Sequence, residues 1–152
     1  MSISAFAPAI STSSPTARRS VTRYSAPAAR GLLGLVFFVC GLDGFLHFLP
    51  QPSAPPGEGA MALAIALLKS GYMFPLIKGT EVAVGALLLA NRLVPLALVL
   101  IAPVLVNIVA FHAFLAPSGL VLALVLVALE LHLAWVHRSV YRPLFAPRAG
   151  AR

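Results

Sequence analysis

The chain has 152 residues, of which 60% are hydrophobic and only 10% charged, with a mean hydropathy of +0.96. Soluble domains carry about 25% charged residues to cover their surface, so this composition excludes water as the main solvent. The net charge is +7, from 11 Lys and Arg against 4 Asp and Glu. Most cations cluster at the ends of apolar runs and not on a solvated face, which argues against nucleic-acid binding and suits orientation in a bilayer. The single cysteine, Cys40, rules out an intramolecular disulfide or a CxxC pair and reads as a small apolar helix residue.

Residues 1–29 are rich in Ser, Ala, Pro and Arg, and no acidic residue precedes Asp43. Such a stretch buries little and reads as a disordered basic tail. Its acid-poor composition also suits a transit peptide. The first apolar run, Gly31–Leu49, is closed by Pro50. Asp43 and His47 inside it, and the spans that follow, argue for a transmembrane helix over a secretory signal. Gln51–Gly59 is a Pro/Gly loop. The apolar piece Ala60–Leu68 is too short to cross about 30 Å of hydrocarbon, so it is expected to be an interfacial or re-entrant helix.

The second span is expected at about Tyr72–Ala90, with Pro75 in its first turn, where a missing N–H does no harm. Asn91-Arg92 makes a tight turn. The third span, about Leu93–Ala116, carries Pro103, which should kink it. Pro117-Ser118-Gly119 turns the chain into a fourth span, about Leu120–Val140, stopped by Pro143. Short turns force antiparallel neighbours. The expected fold is an all-α integral membrane four-helix bundle, up-down-up-down, with a short extra helix after the first span. A bilayer-embedded domain over 30–145 then lies between basic tails over 1–29 and 146–152.

Of the 11 cations, Arg18, Arg19, Arg23, Arg30, Arg92, Arg138, Arg142, Arg148 and Arg152 fall on one side, and only Lys69 and Lys78 do not. The positive-inside rule puts both termini in the cytoplasm, as in a bacterial inner (plasma) membrane.

Three of the four acidic residues, Asp43, Glu81 and Glu130, lie inside apolar spans. A carboxylate at membrane depth costs at least ~2.5 kcal/mol on insertion scales, so it calls for a partner or a wet cavity. By depth, Asp43, His47, Lys78, Glu81, Asn107 and His112 share one layer in the outer half of the bundle. Glu130 and His132 sit deeper. Asp43 and His47, four apart, fall on one helix face, and Lys78 and Glu81, three apart, can pair along theirs. Asn107 and His112, five apart, diverge by about 140° on a regular helix. The layer is a candidate ligand-binding site. Its bland reading is a structural Lys78–Glu81 ion pair and an interfacial His47. Asp43, His47, Glu81 and His112 also have the donor types of a metal site, the weaker alternative. Glu130 and His137 share a face; His137 and Arg138 read as headgroup anchors, and Trp135 and Tyr141 as an aromatic belt.

The run Gly71-Tyr-Met-Phe-Pro-Leu-Ile-Lys-Gly-Thr-Glu81, the Gly85–Leu89 stretch, Asn91-Arg92 and Pro95 together resemble the DoxX family of small membrane proteins. Ala102-Pro-Val-Leu-Val-Asn107-Ile-Val-Ala-Phe-His112 and Leu115-Ala-Pro-Ser-Gly119 resemble one branch of it. Gly41-x-Asp43-Gly44 with His47 occupies the place of the family's first-helix signature. The likeness covers about Arg30 to Phe145 and implies four transmembrane helices. Relatives include a subunit of a thiosulfate:quinone oxidoreductase and components of membrane oxidative-stress complexes, so other membrane redox subunits are implied partners. No haem, flavin or iron–sulfur motif is present.

Three functions fit this sequence. The chain could be an accessory or quinone-interacting subunit, with the polar layer around the headgroup. It could be a small permease, built as a homo-oligomer, with the broken helix at Lys69–Pro75 beside buried charges. Or it could be a non-catalytic assembly factor in which the ionisable groups only lock helices together.

Overall fold

The computed structural model describes residues 15–50 and 57–145, and among them there is no strand. Six helices follow one another: α1 (Pro15–Leu46), α2 (Glu58–Lys69), α3 (Met73–Leu89), α4 (Val94–Phe114), α5 (Leu120–Val136) and α6 (Arg138–Tyr141). Short 3₁₀ turns at Pro117–Gly119 and Arg142–Phe145 precede α5 and follow α6.

Three stretches are long and apolar enough to cross a membrane: Tyr24–Leu46 of α1, α4, and Pro117–Val136, which contains α5. Helices α2 and α3 pass the same test only together and are bent by 92° at their break, so a fourth span exists if the pair counts as one. Much of the outer surface is apolar, including Phe114 (84% exposed) and Val121 (75% exposed). Water would not tolerate so extensive an apolar exterior, whereas lipid is its natural solvent. The chain is an integral membrane protein.

Composition assigns residues 15–29 to a tail, but they form the first turns of α1. Residues 1–14, and with them the transit-peptide reading, lie outside the described residues, as does 146–152. The physical reason is packing. Ala29 is buried and Ala26 packs against the same core. Ser25 Oγ lies 3.1 Å from His132 Nε2 on α5. Alanine loses little side-chain entropy in a helix, so a modest interface suffices to order these turns. Pro27 lies inside the helix and cannot donate to the carbonyl four residues earlier.

The most extensive interface joins α1 to α3; α4 packs on both α3 and α5, and α5 on α1. The glycines show how closely α1 and α3 approach. A Cβ on Gly85 would lie 2.4 Å from the Phe38 nitrogen, and one on Gly41 2.8 Å from the Val82 nitrogen. A Cβ on Gly34 would meet Leu88 Cβ at 2.9 Å. Small residues let backbones touch where no hydrophobic effect drives helices together. The two helices run antiparallel, since Gly34 meets Leu88 while Gly44 meets Lys78. The Arg30 guanidinium, at the opposite end from Gly44, donates to the Leu88 carbonyl.

The turns use ordinary terminus chemistry. At the end of α3, Asn91 adopts φ 53°, Arg92 N–H donates to Leu87 C=O, and Asn91 N–H donates to Leu88 C=O. This is a Schellman motif with Asn in the place glycine usually takes. Between α2 and α3 the chain pivots at Gly71, whose φ of +77° suits a residue without a side chain. The Ser70 hydroxyl donates to Leu67 C=O at 2.6 Å and accepts Met73 N–H at 3.0 Å.

Candidate functional site

Lys78 Nζ lies 2.8 Å from Glu81 Oε2, one turn along α3. Glu81 is 3% exposed, the charged residue buried among the described residues. It faces α1, where a Cβ on Gly41 would come within 2.9 Å of Glu81 Cβ. The aliphatic part of Lys78 crosses Gly44, whose added Cβ would lie 2.5 Å from Lys78 Cδ. The glycines of Gly41-x-Asp43-Gly44 thus make room for the ion pair, and two neutralised charges reside where a single one would be costly.

Lys78 also borders a cavity of about 210 Å³ between α2, α3 and α4. Asn107 and His112 line it, together with Phe74, Phe111 and Leu63. Helical spacing sets Asn107 and His112 far apart in angle, yet both contribute to this wall. Helix α2 covers it, because Ala60 is buried and Leu63 and Leu67 point the same way, three and seven residues on.

His112 Nδ1 is 2.8 Å from the Ala116 carbonyl. A carbonyl can only accept, so Nδ1 carries a proton, which leaves Nε2 as the acceptor of the Nδ1–H tautomer. The ring also rests on Gly119, where an added Cβ would lie 2.0 Å from Cε1. Gly119→Ala is therefore expected to displace the His112 ring and break its bond to Ala116. A changed His112 imidazole resonance at unchanged melting temperature would check this.

Asp43 and His47 do not join the cavity. Helix α1 ends at Leu46, and His47 takes φ 51°. Its N–H donates to Asp43 C=O at 2.8 Å, while Asp43 Oδ1 accepts the Leu49 N–H at 2.7 Å. The expected shared face fails because the helix stops between them: His47 is the left-handed residue that closes α1, and Asp43 caps the turn. Among the described residues no three His, Cys, Asp or Glu are placed to hold a metal ion, so Asp43, His47, Glu81 and His112 are not assembled as ligands.

A larger concavity lies elsewhere. A groove of about 850 Å³ runs between α4 and α5 and is walled by Leu98, Ala102, Leu105 and Val127, with Glu130 within it. Trp135, Arg138, Tyr141 and Arg142 line it too. Arg138 stacks over the Trp135 ring at 5.0 Å and donates to the Trp135 carbonyl at 2.9 Å. The Tyr141 hydroxyl donates to Pro95 C=O at 2.9 Å, tying α6 to the start of α4. Partial burial, and then the charge of Glu130, raise the Tyr141 phenol above its ordinary pKa. Sequence reading singles out Glu130 for its depth but assigns Trp135 and Tyr141 only to a belt. Alternation of large and small apolar residues on two helices gives no sign that a groove forms between them.

Comparison with family models, with curated proteins and with solved structures finds no match.

Proposed function

We propose that this chain is a DoxX-like subunit of a membrane redox system that holds a quinone headgroup in the cavity between α2, α3 and α4. The observation that carries this reading is the convergence of Lys78, Asn107 and His112 with Phe74 and Phe111 on one cavity of about 210 Å³. Ligand sites of drug-like molecules span about 300–1,000 Å³, so this one suits a single substituted ring whose tail leaves into lipid. Lys78 and Asn107 offer donors to a quinone carbonyl, and His112 Nε2 offers an acceptor to a quinol hydroxyl. Two phenylalanines supply apolar walls for the ring.

In this reading α1, α3, α4 and α5 cross the bilayer in up-down-up-down order. Helix α2 lies across the outer end, at 92° to α3. The 17 residues of α3 reach about 26 Å, short of average hydrocarbon thickness by an amount that local thinning accommodates. The cations Arg30, Arg92, Arg138 and Arg142 put both termini in the cytoplasm, in a bacterial inner membrane. Other redox subunits and a second copy of the chain are its partners.

The test is purification in mild detergent followed by extraction of bound lipid. A quinone in near-stoichiometric amount is expected, and Asn107→Leu should lose it while keeping the fold. No quinone on the wild-type protein, with respiratory quinone reduction indifferent to Glu81→Gln, overturns the reading. The right-angled break between α2 and α3 beside Lys78 also favours a permease, since broken helices gather at transporter sites. Solute flux in proteoliposomes that depends on Lys78 would decide for that second reading.

A further inference from the structure

The groove between α4 and α5 contains one charged group within the membrane-spanning length, the Glu130 carboxylate. Among the described residues Glu130 makes no hydrogen bond or ion pair. Its groove walls on α4 are Leu98, Val99, Ala102, Leu105 and Val106, none of which can donate. The other charged and titratable groups lining the groove are Arg138, Tyr141 and Arg142. None of them meets the need of Glu130. Arg138 lies eight residues on, about 12 Å along the axis, and is held on Trp135. The Tyr141 proton is given to Pro95. Arg142 is exposed beyond Tyr141. An acidic side chain at this depth is costly unless a cation or a donor meets it.

We infer that this groove is a binding site for a lipophilic cation, an apolar body whose positive centre pairs with Glu130. The inference stands independently of the quinone reading, on different helices' faces and different residues. The volume, about 850 Å³, falls in the range of sites that enclose a whole drug-sized molecule. The walls match an apolar body, and the carboxylate supplies the complementary charge. An anionic amphiphile would find arginines at the rim but would leave Glu130 unpaired in its middle, so charge complementarity favours the cation. Where Glu130 is protonated, cation and proton compete for the same oxygens, so binding weakens as pH falls.

Trp135 is the single tryptophan of the chain and lines the groove, so its fluorescence reports occupancy directly. The experiment titrates the full-length protein in maltoside micelles with tetraphenylphosphonium and, separately, with tetraphenylborate, an anion of the same shape. Saturable change with the cation, and little with the anion, is expected. Glu130→Gln should weaken cation binding about 30-fold or more, the loss typical of removing one partner of a desolvated charge pair. Lowering the pH until the carboxyl is protonated should weaken it for wild type and leave Glu130→Gln unaffected. Ala134→Phe, which fills the groove without removing charge, should also block binding, and Asn107→Leu should not. Elution volume and melting temperature show that each variant is folded. Equal binding of cation and anion, cation binding unchanged in Glu130→Gln, or preferential binding of the anion lost in Arg138→Gln/Arg142→Gln would each overturn the proposal.

Discussion

Substituting Gly85 by valine is expected to unseat α1 from α3 and cost about 3 kcal/mol or more of stability. A Cβ at this position would sit 2.4 Å from the Phe38 nitrogen and 2.7 Å from its Cα. These are backbone atoms inside a helix, so no rotamer change relieves the clash and one helix must move. The movement would also open the seam at Gly34 and Gly41, where added Cβ atoms would come within 2.9 Å of α3. Inside lipid, tight packing is the main force between helices, so little compensates for its loss. Thermal melting of the purified protein in detergent measures the effect. Gly79 provides the internal control, because a Cβ there meets nothing within 4 Å. Gly79→Ala should hold or raise stability, by up to about 1 kcal/mol from helix propensity. Equal melting temperatures for Gly85→Val and Gly79→Ala would show that the seam does not hold the bundle together.

The second large effect is expected at the ion pair. Lys78→Met should destabilise the protein by about 3 kcal/mol, because it leaves the buried Glu81 carboxylate without its partner 2.8 Å away. Adding Glu81→Gln should recover most of this loss, since the stranded charge is then gone. Stability and function separate in this double variant. If Lys78 serves only to neutralise Glu81, respiratory quinone reduction returns with the fold. If Lys78 also donates into the cavity, as proposed, the refolded double variant still binds quinone poorly. Bound quinone per mole of double variant, compared with wild type at equal melting temperature, distinguishes the two. Recovery of both stability and quinone content would remove Lys78 from the binding role.

Glu81 and Lys78 were legible as a pair because their spacing is local and the helix is regular. Asp43 and His47 have equally local spacing, but a shared face requires that the helix continue to Leu49. It ends at Leu46, and a termination by one left-handed residue leaves almost no mark when that residue is His and not Gly. Asn107 and His112 share a layer by depth but diverge in angle on a regular helix; both line one cavity because a space bounded by three helices receives side chains over a wide arc. Residues 15–29 look like tail by composition, yet Ala29 is buried and Ser25 meets His132 of α5, more than a hundred residues downstream.

The sequence alone determined that the chain is helical and lives in a membrane, because both follow from runs of apolar residues, proline and glycine breaks, and scarcity of charge. Solvent preference is a sum over residues and needs no knowledge of neighbours. Tertiary structure alone decided which faces meet. It set α1 against α3 on glycines, laid α2 at a right angle over the Lys78–Asn107–His112 cavity, and left Glu130 facing an open groove. Those outcomes depend on shape complementarity between segments far apart in the chain. In spans that are apolar on every side, no amphipathic stripe records it in advance.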